Sequence, residues 1–474
     1  MTTLHSGAYK GTYKGTNKLI IGIVFGVLTF WLFAQAMVNI VPAVQADLGV
    51  SSGLLNIAIS LTALFSGIFI VAAGGLADQI GRKKITNIGL LLSVVGSLCL
   101  VLATGSFLLI IGRVIQGLSA ACIMPATIAL MKEYYAGAER QRALSYWSIG
   151  SWGGSGVCSL FGGAIATYMG WRWIFVFSIL FSLLALWLIK DTPESRTKQT
   201  GHTKFDISGL IVFIIAMLAL NIFITQGAEL GWTSWLTIAL IVIAIMGAVF
   251  FIKIENGKSN ALIDFALFRN APYTGATVSN FFLNAVAGTL VVANTYVQEG
   301  RDFTSFQSGM LSIGYLIAVL AMIRVGEKIL QRIGAKKPML GGTILTLIGV
   351  GVMGLTFLPD LAYTVTVFIG FALFGLGLGI YATPSTDTAV ANAPNDKIGA
   401  ASGIYKMASS LGSAFGVAIS ATVYAMITNS RGVDAAATAG IVTNVIFAGI
   451  ALLSIMIMVP KHAGMNEEKE VALK

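Results

Sequence analysis

Charge is scarce in this chain. Of its 474 residues only 11% are Asp, Glu, Lys or Arg, with 20 acids against 30 bases and three histidines. A soluble globule carries about 25% charged residues, so this sequence cannot clothe itself in a water-facing surface. A hydrophobic fraction of 56% and a mean hydropathy of +0.84 place it in lipid. Cysteine is scarce as well: Cys99, Cys122 and Cys158 lie inside apolar runs without metal-ligand spacing, which excludes a disulfide framework and a zinc site. No glycine-rich loop ends in Lys-Ser or Lys-Thr, so nucleotide hydrolysis does not drive the protein. No His/Glu/Cys cluster suggests an enzyme, a metal or another cofactor. The net charge of +10 is spread singly between apolar runs rather than clustered on one face, so nucleic acid is not a partner.

What the chain does have is apolar length and 54 glycines, as expected where helices pack closely in a bilayer. A spanning helix needs about 20 mostly apolar residues. Fourteen such runs are read, at 18–41, 54–77, 85–104, 107–131, 143–168, 172–189, 208–226, 234–252, 274–297, 307–326, 338–358, 361–385, 400–427 and 438–459. An even number puts both termini on one side. If that side is the cytoplasm, the inner segments hold 24 of the 30 Lys and Arg, and the outer loops only Arg172, Arg301 and Arg431. Arg113, Arg324 and Lys406 fall within or at the edge of spans. That asymmetry predicts a multi-pass protein with both termini cytoplasmic. Lys10, Lys14 and Lys18 before an apolar run and Ala34-Gln35-Ala36 imitate a cleaved signal peptide, but the run continues to Val41 and thirteen more follow.

The second half echoes the first. Gly81 with Arg82-Lys83-Lys84 matches Gly334 with Lys336-Lys337, Pro125 matches Pro384, and Ala143–Tyr146 matches Ser402–Tyr405. Parallel six-span repeats with a midplane site between them are a transporter architecture. The organisation read is an N-terminal segment 1–17, a six-helix bundle 18–190 and a linker 191–206. An inserted pair of helices at 207–253, a second linker 254–273, a six-helix bundle 274–460 and a tail 461–474 follow. The fold class is therefore an all-α integral membrane protein.

Gly74-Gly75-Leu76-Ala77-Asp78-Gln79-Ile80-Gly81-Arg82-Lys83-Lys84 follows the second span. Gly74 permits close helix approach, Gly81 a tight turn, and Asp78 can accept bonds from basic groups or a helix N-terminus. The segment resembles the G-x-L-a-D-x-x-G-R-K signature of the major facilitator superfamily, in which it is a cytoplasmic gate latch; the resemblance assigns that role to Gly74, Asp78, Gly81, Arg82 and Lys83. In span 4, Leu109, Arg113, Gln116 and Gly117 resemble the second motif of the family. A cation inside a span costs at least ~2.5 kcal/mol, so Arg113 should face the bundle interior and find acceptors such as Gln116 and backbone carbonyls. In proton-coupled relatives this arginine is tied to proton transfer. In span 5, Gly154, Gly162 and Gly163 keep the packing glycines of the exporter signature, while Cys158-Ser159 replaces its central Gly-Pro. Trp171-Arg172-Trp173, Phe205-Asp206 and Gly375–Gly379 resemble the 14-span drug:proton antiporters of this superfamily, and Ser145–Gly154 and Tyr381–Thr388 its quinolone-exporting branch in Gram-positive bacteria. The resemblance implies a bacterial plasma-membrane antiporter, acting as a monomer on protons and on fluoroquinolones, cationic dyes and other small amphipathic drugs.

One departure matters for coupling. Such exporters carry an aspartate midway through span 1, whereas Phe33-Ala34-Gln35-Ala36-Met37-Val38-Asn39 contains no acid. The remaining intramembrane candidates are Asp387, late in span 12, and Lys406, early in span 13, which are expected to pair at matched depth. Arg324 and Glu327 at the inner end of span 10 could stand in for the latch charge, since Gln331 occupies the position matching Asp78. Phe33, Gln35, Asn39, Trp147 and Asn284 are the candidate pocket residues. Two other classes stay open: a same-fold importer or exporter of a small metabolite, and a membrane sensor or scaffold.

Overall fold

The computed structural model describes residues 13–50, 52–196, 206–256, 258, 261, 263, 265–303, 305–461 and 463. Every regular element among them is helical. The first rod begins as α1 (Asn17–Leu28), loosens into a π-helical segment at Thr29–Ala34, tightens into a 3₁₀ turn at Gln35–Asn39 and is followed by α2 (Val41–Leu48). The helices α3 (Ser52–Ile80), α4 (Arg82–Val101) and α5 (Ser106–Tyr134) are continuous. The fifth rod is broken like the first, into α6 (Gly137–Ser148), a π-helical segment at Ile149–Gly153 and α7 (Gly154–Tyr168); α8 (Arg172–Ile189) closes this half. After α9 (Ile207–Leu230) and α10 (Trp235–Glu255) come α11 (Ala271–Ala285), α12 (Gly288–Gly300), α13 (Ser305–Leu311), α14 (Ile313–Ile333) and α15 (Lys336–Met353). The last three are α16 (Asp360–Ala391), α17 (Ile398–Arg431) and α18 (Val433–Met458).

Local chemistry sets several of these boundaries. Asp206 accepts the Gly209 N–H at 2.9 Å to start α9, and Asn270 accepts the Tyr273 N–H at 3.1 Å to start α11. The two glycines matched between the halves both sit at left-handed turns: Gly81, φ +135°, between α3 and α4, and Gly334, φ +79°, between α14 and α15. Both need a residue without a Cβ.

Within residues 17–189, α5 packs on α3 and α4, and α8 on α1 and α4; within 271–458, α16 packs on α14 and α15, and α17 on α11 and α18. The halves meet chiefly where α17 crosses α3 and α5. The α9–α10 pair packs on itself, and α9 touches α3 and α17. Ile245, Met246 and Phe250 of α10 face outward, a surface suited to lipid rather than water.

Among the described residues, twelve helical stretches are long and apolar enough to cross a membrane. Of the fourteen expected, 143–168 and 338–358 fall outside that set although both are largely helical. The first is interrupted in a Ser- and Gly-rich stretch near its start, and the helix that holds the second, α15, opens on Lys336 and Lys337 and ends at Met353.

Candidate functional site: gate contacts and a buried cation between the two halves

The segment around Asp78 holds the two halves together. Asp78, buried near the end of α3, accepts the backbone N–H groups of Gly399 at 3.0 Å and Ala400 at 3.1 Å, so its carboxylate caps the N-terminus of α17 in the other half. Arg82 donates to the same carboxylate through Nε at 3.1 Å and Nη2 at 3.0 Å. It also reaches Glu133 at 2.7 Å, Ser195 Oγ at 3.1 Å and, across the halves, the Asn395 carbonyl at 3.0 Å. A planar guanidinium with five donors can serve four partners in this way; an ammonium cannot. Gly74 is where the helices touch, since a Cβ there would stand 2.2 Å from the Gly399 carbonyl oxygen. Lys83 donates its Nζ to the Lys190 carbonyl at 2.6 Å. Gly74, Asp78 and Arg82 thus lie at the crossing with the other half, while Gly81 and Lys83 meet the segment after α8, at Glu194 and Lys190.

A second polar bridge joins the halves nearby, and it corrects an expectation. Asp387 does not pair with Lys406. Its fully buried carboxylate accepts Arg140 Nε at 2.9 Å and Gln141 Nε2 at 3.2 Å, both from α6. Matched depth in consecutive helices does not mean adjacency: α16 lies mainly along α14 and α15, while α17 lies along α3, α11 and α18. Glu327 pairs with Arg324 and accepts Gln331 Nε2 at 3.0 Å, and the same amide reaches the Ala138 carbonyl at 3.3 Å. The position in the second half that matches Asp78 therefore makes an uncharged contact to α6.

Arg113 is satisfied inside its own half. It donates to the carbonyls of Ala34 at 2.8 Å and Ala58 at 3.3 Å and to Gln116 Oε1 at 2.8 Å. Its partners are the carbonyls and the glutamine expected of it, with no carboxylate among them. Lys406 has different surroundings. Its ammonium lies over the Trp147 ring at 4.7 Å and over the Trp31 ring at 6.0 Å, where both π-helical rods of the first half face α17. No ion pair to it occurs among the described residues.

The pocket candidates divide. Trp147 is buried at the junction of the halves and donates to Thr127 Oγ1 at 3.0 Å. Phe33 instead packs inside the first half, edge-on to Phe161 and Phe181 with ring centroids 5.4 and 4.9 Å away. It does not line the junction, because the π-helical segment changes the residues per turn and shifts the face it presents. Gln35 is half-buried at the following turn, and the Asn39 side chain lies outside the described residues. Asn284 bonds Asn280 Oδ1 at 2.9 Å within α11, and Asn280 in turn bonds the Tyr405 carbonyl and Ser409 of α17. Of the exporter-motif glycines, Gly154 and Gly162 press on the first rod, with added Cβ atoms meeting Trp31 Cβ at 3.1 Å and Ala36 Cβ at 2.9 Å. Gly163 makes no such close approach, since a Cβ there would meet no atom within 4 Å.

A sequence model of the Major Facilitator Superfamily matches residues 19–417. The chain belongs to the major facilitator superfamily. Quinolone resistance protein NorB of Staphylococcus aureus strain MRSA252 is 58% identical over 447 residues, covering 94% of this chain and 96% of that one. NorB of strain COL is 58% identical over 444 residues, at 94% and 96% coverage. Among solved structures, the proton:xylose symporter XylE aligns with TM-score 0.65 at 16% identity over 96% of this chain and 98% of that one. The human organic anion transporter MFSD10 aligns with TM-score 0.61 at 14% identity, over 93% and 98%. At such identities these structures share the fold alone.

Four sets of contacts in this facilitator escape sequence reasoning. Arg140 and Gln141 precede the run 143–168, where the charge asymmetry treats them only as a cytoplasmic marker, yet they lie in the first turns of α6. Glu194 caps α4 by accepting the N–H groups of Lys83 at 2.9 Å and Lys84 at 3.0 Å, which clamps the linker onto the latch. On the opposite face, Arg172 bonds Asp47 and the carbonyls of Val101 at 3.1 Å and Ala103 at 2.7 Å. In the second half Arg301 bonds Asp360, the Tyr296 hydroxyl at 3.0 Å and the Leu358 carbonyl at 3.0 Å. Two of the few bases on that face are thus structural ties, one per half.

Proposed function

We propose that this protein exports quinolones and related amphipathic drugs from a bacterial cell by proton-driven alternating access. The observation that carries the reading is the 58% identity to quinolone resistance proteins over nearly the full length, and the Asp78 cap on α17, which joins the two halves, supports it. In this reading the chain crosses the plasma membrane fourteen times, residues 143–168 and 338–358 included, with both termini in the cytoplasm. Bundles 18–190 and 274–460 rock about their interface, the helix pair 207–253 rides beside them, and one chain suffices.

The Asp78–α17 cap and the Arg140–Asp387 bridge close the cytoplasmic side. Protonation of Asp387 in this closed form discharges its bond to Arg140 and lets α6 withdraw. The carboxyl, then open to the cytoplasm, returns to its charged form and releases the proton inward. Arg113 holds the first rod in register through the Ala34 carbonyl. The test is quinolone uptake into everted vesicles energised by a proton gradient. Uptake abolished by an uncoupler is the expected result; uptake indifferent to it refutes proton drive, and none at all refutes the substrate class.

A further inference from the structure

Lys406 is a buried cation in a membrane span for which the described residues supply no carboxylate. Such a charge is expensive, and where the protein offers no partner a ligand can. Polar groups without partners lie beside it. The Trp31 indole N–H, beside the lysine, is buried with no acceptor, and the Ser402 hydroxyl, one turn before Lys406 on the same face of α17, is buried without a partner. The only two π-helical segments among the described residues, Thr29–Ala34 and Ile149–Gly153, occur in the rods that supply Trp31 and Trp147 to this lysine. Such departures from α-helix are frequent at functional sites. The location is also right: Lys406 belongs to one half and both indoles to the other, so the group lies on the interface that alternating access must open.

We propose that Lys406, Trp31 and Ser402 form an anion subsite that takes the carboxylate of the transported drug, with Trp147 stacking against the lysine when the site is empty. A carboxylate offers two oxygens to the ammonium, the indole N–H and the hydroxyl, and satisfies three unmet donors at once. This rests on the export reading above and narrows its substrate class. A transporter with no acid in its first span and a cation at the interface selects drugs by a carboxylate, so zwitterionic quinolones are preferred over purely cationic dyes.

The experiment compares binding of norfloxacin, its decarboxylated analogue and ethidium to the purified full chain in lipid nanodiscs, read by tryptophan quenching. Wild type should bind norfloxacin at least about tenfold more tightly than the analogue, matching one charge-assisted contact. Lys406→Gln should bring that ratio close to one by weakening norfloxacin alone, and Lys406→Arg should keep most of it. Equal wild-type affinity for norfloxacin and its analogue overturns the proposal while leaving quinolone export standing. So does an equal loss for both ligands in Lys406→Gln. Failure of wild type to bind any quinolone overturns the export reading and the subsite with it. The wild-type comparison needs no variant, so the subsite is decided even if Lys406→Gln does not fold.

Discussion

Asp78→Asn tests whether the α3–α17 contact is a gate or only a fold contact. In the closed form the Asp78 carboxylate accepts two backbone N–H groups from α17 and two N–H groups from Arg82. Opening breaks the first two, while the Arg82 bonds stay within one half. An asparagine keeps one carbonyl oxygen but turns an amide N–H toward a backbone N–H, and removes the charge from the α17 N-terminus. Hydrogen bonds to charged groups contribute about 1.5–3 kcal/mol, and the helix-terminus charge ~0.3–2 kcal/mol. The closing equilibrium should therefore shift by roughly 2–4 kcal/mol, or about thirtyfold to a thousandfold. A suitable reporter is Val71→Cys, since Val71 is fully buried where its Cα comes within 3.0 Å of a Cβ placed on Gly403. In a background with Cys99, Cys122 and Cys158 replaced by serine, everted vesicles are treated with a membrane-impermeant maleimide. Asp78→Asn should raise the labelling rate by that factor at unchanged protein abundance, and drug uptake should fall. Labelling within twofold of the parent with normal uptake would refute the gate.

Gly74→Ala should act in the same direction. Its Cβ would stand 2.2 Å from a backbone oxygen that cannot move aside, and overpacking of about 1–3 kcal/mol should raise Val71→Cys labelling roughly 5- to 150-fold. Asp387→Asn should abolish proton-driven uptake while quinolone still binds, and pairing it with Arg140→Gln should restore membrane abundance but not coupling; full coupling in the double variant, measured as drug-induced proton release from proteoliposomes, ends the carrier role. The guanidinium of Arg172 holds the Asp47 carboxyl below its usual 3.8. Its contribution is therefore present above that value and is lost as pH falls through the lowered one, so the melting-temperature gap between wild type and Asp47→Asn should be open at pH 7 and close in acid. For topology, cysteine at Ser234 should label from outside intact cells and cysteine at Asp191 only from inside; reversal refutes the orientation.

Composition and periodicity alone determined that this is a helical membrane protein. Burying this many apolar residues with 11% charge has no aqueous solution, and lipid leaves the backbone little choice but helix. The turn after α3 was legible too, because its chemistry is local: Asp78, Gly81 and Arg82 lie within five residues, and both the i,i+4 ion pair and the left-handed turn are properties of that segment. Its partner was not, since nothing in the sequence says that Gly399, 321 residues away, presents its N–H there. Asp387 and Lys406 fail for the same reason. Their spacing gives depth in the bilayer but not azimuth, and only the packing of α16 beside α14 and of α17 beside α3 turns the aspartate toward Arg140 and the lysine toward two indoles. Phe33 was misjudged because a π-helical segment alters the residues per turn, a change no helical wheel anticipates. Sequence periodicity marks which stretches are long and apolar enough for lipid. Which side chains meet across the two halves depends on helix rotation and crossing, and these are set by contacts between residues hundreds of positions apart.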